Sequence, residues 1–222
     1  MATLADRFRG LLKAGAVVDP GLPIEKIPFV VIDTELTGLD MKRDSVISVG
    51  AIKMAGTRIE LGRSFYRLVS PRADFKREGI MVHGITPDDV AAKPSLDVVA
   101  DELLAFCGDR ILVGHFFSID LGFLGREAPA VKAADLRSRA VDTVRIYSWI
   151  EQQRHRHAGD FAVPEGALNL VAIALSHGIR VGGAHNALTD AFITAQLLQR
   201  QLRALPNLGV RTLGDLLRVG KP

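Results

Sequence analysis

Four consecutive apolar residues, Phe29-Val30-Val31-Ile32, run straight into Asp33 and Glu35. An unbroken, β-branched run of this length reads as a central strand covered on both faces, so the rest of the chain must supply a layer on each side of a sheet. Two more strand-like segments follow, Val46 to Met54 and Ile59 to Val69, separated by the turn signal Ala55-Gly56-Thr57. They predict a three-strand meander. From Ser95 the pattern turns helical, with a serine cap, Leu96, Val99, Ala100 and Leu103 on one face, and Gly108 as the stop. Ile111 to Gly114 reads as another buried strand. A helix through Leu121 to Arg126, a short strand near Ala140 and Val141, and helices from about 167 to 177 and from 188 to 202 complete the pattern. Strands first, then helix and strand in alternation, predict an α/β layered fold. Its sheet is mixed, with antiparallel hairpin strands and later strands reached by helical crossovers.

A chain of 222 residues, 48% hydrophobic and 24% charged, suffices for one domain with one substantial core. The expected division is an N-terminal amphipathic helix and linker over 1–27, a main domain over 28–204 and a tail over 205–222. The helix is read from the spacing of Leu4, Phe8, Leu11 and Leu12, and the linker from the helix breakers of DPGLP. Arg7, Arg9 and Lys13 interrupt the first apolar residues, which argues against a signal peptide or a membrane span. The single cysteine, Cys107, excludes an intramolecular disulfide, and a cytoplasmic protein is expected. A formal charge of +3 leans toward a polyanionic partner without deciding for one. Arg154-His155-Arg156-His157 reads as a polar linker, and Cys107 as inert.

Asp33 and Glu35 stand two apart, so an extended backbone points both carboxylates to one side, where they repel unless a hard divalent cation sits between them. Taken alone, the pair fits a turn equally well, because Thr37-Gly38 follows. Asp120 is the only acidic group in LVGHFFSIDLGFL, where it suits either a helix-start cap or a site carboxylate. His115 in the same stretch reads as a structural residue or a further ligand. His185 and Asp190 lie five apart, which on a continuous helix separates them by roughly 140° around the axis. They converge only if the helix begins near Asn186 or Ala187 and leaves His185 in the glycine-rich loop of Gly182 and Gly183. Carboxylates spread in this way with one loop histidine match the needs of a two-metal phosphodiesterase.

DTELTGLD at 33–40, HFFSIDLGFL at 115–124 and HNALTDA at 185–191 resemble, in order and spacing, the three exonuclease motifs of the DnaQ-like DEDDh family. MVHGIT at 81–86 and VDTVRI at 141–146 extend the resemblance over roughly residues 28 to 202. The resemblance implies a ribonuclease-H-like fold and 3′-to-5′ removal of nucleoside 5′-monophosphates from single-stranded ends of DNA or RNA. It implies that Asp33, Glu35, Asp120 and Asp190 bind two magnesium or manganese ions and that His185 deprotonates the attacking water. Leu36, Thr37, Leu39 and His115 become the expected substrate contacts, Leu39 as an apolar wedge beside the terminal base. Leu36 stands where family members often carry threonine, and His115-Phe116 and Ile119-Asp120 depart from the usual H-N pair and the aromatic before the third carboxylate. A DNA polymerase subunit is a candidate partner. The rival reading is a catalytically weak module that keeps the fold to bind nucleic acid or a polymerase, and a phosphoesterase for small nucleotides stays open as a third.

Overall fold

The computed structural model describes residues 19–128, 131, 133–156, 163–183 and 185–222. The helix expected over residues 4 to 12, and His157, lie outside the described residues.

The described residues form first a 3-10 turn, Ile24–Lys26, and then enter the sheet through β1 (Pro28–Leu36), β2 (Val46–Ala55) and β3 (Arg58–Leu68). Three helices follow, α1 (Arg77–His83), α2 (Pro87–Val90) and α3 (Leu96–Cys107), before β4 (Ile111–Gly114). Next come α4 (Ser118–Glu127), α5 (Ala133–Ser138), β5 (Ala140–Asp142) and α6 (Thr143–Arg154). The described chain closes with α7 (Leu170–Ser176), α8 (Ala187–Ala204), a 3-10 turn at Leu205–Leu208 and α9 (Leu213–Val219). The five strands form one sheet in the order β3-β2-β1-β4-β5. The meander strands pair antiparallel, whereas β4 and β5 join parallel to β1, so the sheet is mixed as expected.

β1 is central because its side chains bury on both faces. Val30 and Ile32 join the core formed with α3 and α4, while Phe29 and Val31 join the one formed with α6, α8 and α9. This period-2 division sets the geometry of everything beyond Ile32. Asp33 and Glu35 continue the α8 face, and Thr34 continues the α4 face. At Glu35/Leu36 the pairing with β2 shifts by a residue, a bulge of the kind that re-aims side chains at strand ends.

The ends of the described chain are built into this core. Leu205, Val210, Leu213 and Leu216 are fully buried with Ile24 and Ile27 in the α8-side core. Each such aliphatic is worth about 1.5–3 kcal/mol on burial. Backbone hydrogen bonds from Ile24 to Arg211, Leu213 to Leu22 and Gly214 to Pro20 stitch the two ends together. The boundaries drawn from sequence at 27/28 and 204/205 therefore do not correspond to breaks in the packing. A sequence signal for α9 existed in Thr212 and Asp215, which form a capping box. Arg154 ends α6 and pairs with Glu151. Cys107 is buried, and burial pushes its thiol up to about 12, which keeps it unreactive.

Candidate active site

The carboxylates gather where β1 ends. Asp33 and Glu35 project on the α8 face, and α8 brings Asp190 to them in its first turns. One oxygen of each lies within 4.8 Å of the others. Oxygens bound to one divalent ion at 2.0–2.6 Å stand at most about 4–5 Å apart, so the spacing fits a shared cation.

α8 starts at Ala187 because Asn186 caps it, its side-chain oxygen accepting from the N–H groups of Leu188 (3.2 Å) and Thr189 (3.3 Å). His185 thus lies outside the helix, exposed, in the left-handed conformation at φ 69°. Its backbone N–H donates to Asp190 Oδ2 at 3.0 Å. A helix start at Ala187 is the condition under which the spacing of His185 and Asp190 allows them to converge. Asp190 Oδ1 is buried and has no hydrogen-bond partner among the described residues. A buried carboxylate oxygen left unpaired is costly, and a cation would satisfy it.

Asp120 comes from the other face. It lies in the first turn of α4, is only 7% exposed, and accepts a 2.6 Å hydrogen bond from Thr34 Oγ1. It stands outside the three-carboxylate cluster but close enough to raise Asp33 electrostatically.

All four carboxyls are harder to ionise than usual. Burial first, then the charges of Asp120, Glu35 and Asp190, pushes Asp33 well above its ordinary range. Burial, Asp190 and Asp120 bring Glu35 up to about 8. Burial brings Asp120 up to about 7 despite the opposing bond from Thr34. Asp190 is also raised by burial, against the pull of His185. Mutually repelling carboxylates in a shared buried site are what a hard divalent cation relieves.

The other expected contacts divide. Leu39 is 76% exposed at the tip of the loop after β1, while Leu36 packs against the α4-side core. Thr37 is buried and its hydroxyl is used inside the chain, donating to Asp44 Oδ1 and accepting from Ser45 N. Its side chain braces the loop from inside. Asp44, buried, also accepts from Lys76 Nζ at 2.7 Å, and Arg126 binds the carbonyls of Met41 and Asp44. These bonds hold Leu39 outward. His115 has both ring nitrogens occupied, by Thr143 Oγ1 and by the Leu168 carbonyl, each at 2.8 Å, and burial drops it to about 4. A ring so engaged has no nitrogen left for a metal or substrate.

Sequence reasoning missed two anchors. Asp142, buried at the end of β5, accepts from the N–H groups of Phe116 (3.1 Å), Phe117 (3.0 Å) and Val144 (2.9 Å), which pins the strained turn at Phe116 (φ 52°) leading into α4 and Asp120. Thr34, between Asp33 and Glu35, is the donor to Asp120. The first had a signal in its place within VDTVRI. The second required knowing that α4 packs on the opposite face.

A mixed sheet of this order, with carboxylates meeting at the end of its central strand from both faces, defines a ribonuclease-H-like nuclease domain. The family model described as Exonuclease (RNase T) matches residues 30–198, and the chain belongs to that family. It is 29% identical over 177 residues to the DNA polymerase III subunit epsilon of Aquifex aeolicus, covering 80% of this chain and 81% of that one. The epsilon subunit of Rickettsia felis is 32% identical over 175 residues, with 76% and 71% covered. Against DNA polymerase III PolC-type of Thermotoga maritima the identity is 28% over 188 residues, 85% of this chain but only 13% of the relative's length. Among solved structures, Exonuclease X in complex with 5′ overhanging duplex DNA superposes with a TM-score of 0.61 at 21% identity, covering 86% of this chain and 98% of that one. The nuclease domain of 3′hExo, a DEDDh family member bound to rAMP, superposes with a TM-score of 0.61 at 17% identity, with 80% and 92% covered. Among the described residues no helix is long and apolar enough to cross a membrane.

Proposed function

We propose that this chain is a metal-dependent 3′-to-5′ exonuclease that releases nucleoside 5′-monophosphates from single-stranded 3′ ends of DNA or RNA. The observation that carries the reading is the convergence of Asp33, Glu35 and Asp190 within 4.8 Å, with Asp190 Oδ1 buried and unpaired. Asp33, Glu35, Asp120 and Asp190 would hold two magnesium or manganese ions. Bound ions of this kind activate water and offset charge at a scissile phosphate. We read His185, exposed on its loop with its backbone N–H bound to Asp190, as the general base that accepts the proton of the attacking water. Leu39, held outward by the Asp44 network, lies against the terminal base, and the backbone around Glu35 and Leu36 meets the terminal sugar.

The test is incubation of purified protein with 5′-labelled single-stranded DNA, RNA and duplex in magnesium or manganese. The expected product is a ladder of labelled fragments shortening from the 3′ end. Immediate release of a labelled mononucleotide, internal cutting or complete inertness overturns the proposal. Calcium should support binding with little turnover, since its longer and looser coordination does not hold the in-line geometry. The relatives named epsilon subunits put a DNA polymerase first among protein partners to test.

A further inference from the structure

The helix that brings Asp190 to the sheet approaches it unusually closely at one place. Gly50 on β2 lies directly opposite Asp33 in the antiparallel register, and residues paired in this way share a face. A Cβ at position 50 would therefore project toward α8. It would lie 2.2 Å from the Ala187 carbonyl carbon, 2.3 Å from Leu188 N and 2.4 Å from the Ala187 oxygen, all backbone atoms of the helix start. No rotamer change relieves contacts with backbone. The same face of β2 carries Ser48 and Gly50 at the site end and the larger Ile52 and Met54 further along, where α8 residues such as Leu198 and Leu202 pack in the shared core. Small residues at 48 and 50 thus admit the helix N-terminus to the strand end that holds Glu35 and Asp33, their respective partners in the register.

We infer that Gly50 is a positioning residue that sets the distance from Asp190 to Asp33 and Glu35 and so tunes the site to small cations. The inference rests on reading that cluster as a metal site. A real Cβ needs more than 3.0 Å from such atoms, so an alanine at 50 drives the start of α8 back by about 1 Å. Asp190, three residues after Ala187, retreats with it. Magnesium demands near-ideal octahedral geometry at about 2.0–2.1 Å, whereas calcium accepts about 2.3–2.6 Å and irregular shells, so opening the cluster weakens magnesium more than calcium.

The experiment is calorimetric titration of the metal-free wild type, Gly50→Ala and Asp190→Ala with magnesium chloride and with calcium chloride, each variant checked for fold by circular dichroism. Gly50→Ala should raise the magnesium Kd by about tenfold or more while moving the calcium Kd by less than about threefold, in line with the two ions' tolerances. A merely structural glycine would lower stability and leave the ratio of the two constants alone. Wild-type protein that binds neither ion, or binds both undiminished in Asp190→Ala, overturns the metal site itself. Normal wild-type binding with an unchanged magnesium-to-calcium ratio in folded Gly50→Ala overturns the role of Gly50 alone. If Gly50→Ala does not fold, Ala187→Val adds bulk from the helix side at a residue that is itself fully buried, and is read in the same way. Failure of both to fold also overturns the inference, since the role claimed is placement of one helix end.

Discussion

The two faces of β1 treat their carboxylates differently. On the α8 side Asp33, Glu35 and Asp190 crowd together, and Asp190 keeps an oxygen that no described residue satisfies. On the α4 side Asp120 receives a short bond from Thr34, and the turn before it is pinned by Asp142. One face crowds its charges in a way that a bound cation would relieve, while the other steadies its carboxylate with internal donors. A fold can thus assemble a site whose parts differ in how much they depend on the ligand for their stability.

The largest expected effect is at Asp33, where the two sides meet. Asp33→Ala should remove at least about three decades of hydrolysis from a folded protein, because losing a shared ligand destroys the geometry of a metal site. Single-turnover rates within tenfold of wild type would reject Asp33 as a ligand. His185→Ala should cost on the order of 10²-fold or more, the usual range of general-base assistance. Because His185 stands outside the carboxylate cluster, metal titration of the same variant should return a nearly normal Kd, in contrast to Asp190→Ala. Metal affinity that falls equally in both variants would move His185 into the ligand set.

Protons and metal should compete for the crowded side. Glu35 is raised from 4.5 to about 8, so the native chain keeps a proton that the unfolded chain has already lost. Metal-free stability contributed at Glu35 is therefore greatest below about pH 4 and declines as pH climbs toward 8. Urea midpoints of wild type relative to Glu35→Gln should fall between pH 5 and pH 8 without metal, and magnesium should restore more at pH 8 than at pH 5. A difference that stays flat across this range would contradict the crowding. The smallest effect belongs to the braced side. Thr34→Val should destabilise by about 1.5–3 kcal/mol, the typical worth of a hydrogen bond to a charged group, while magnesium affinity changes by less than about tenfold. A larger loss of affinity would show that Asp120, too, depends on the metal.

Much of this was legible in the sequence because it is local. The run Phe29 to Ile32 announced a strand covered on both faces, the two-residue spacing aligned Asp33 with Glu35, and the five-residue spacing of His185 and Asp190 let the two converge if the helix started near Asn186, which caps it. Each reading needs only the period of a strand or a helix and the chemistry of a cap. Tertiary structure alone decided which charges share a cluster, because that depends on which face each helix covers. It set Asp120 against Thr34 from across 86 residues, used both ring nitrogens of His115, and turned the Thr37 hydroxyl inward. It also packed the last residues, read from sequence only as a tail, against the first described ones. Periodicity says which way a side chain leaves the backbone; what it meets there is settled by contacts between segments far apart in the chain, as where Gly50 leaves room for the backbone at Ala187.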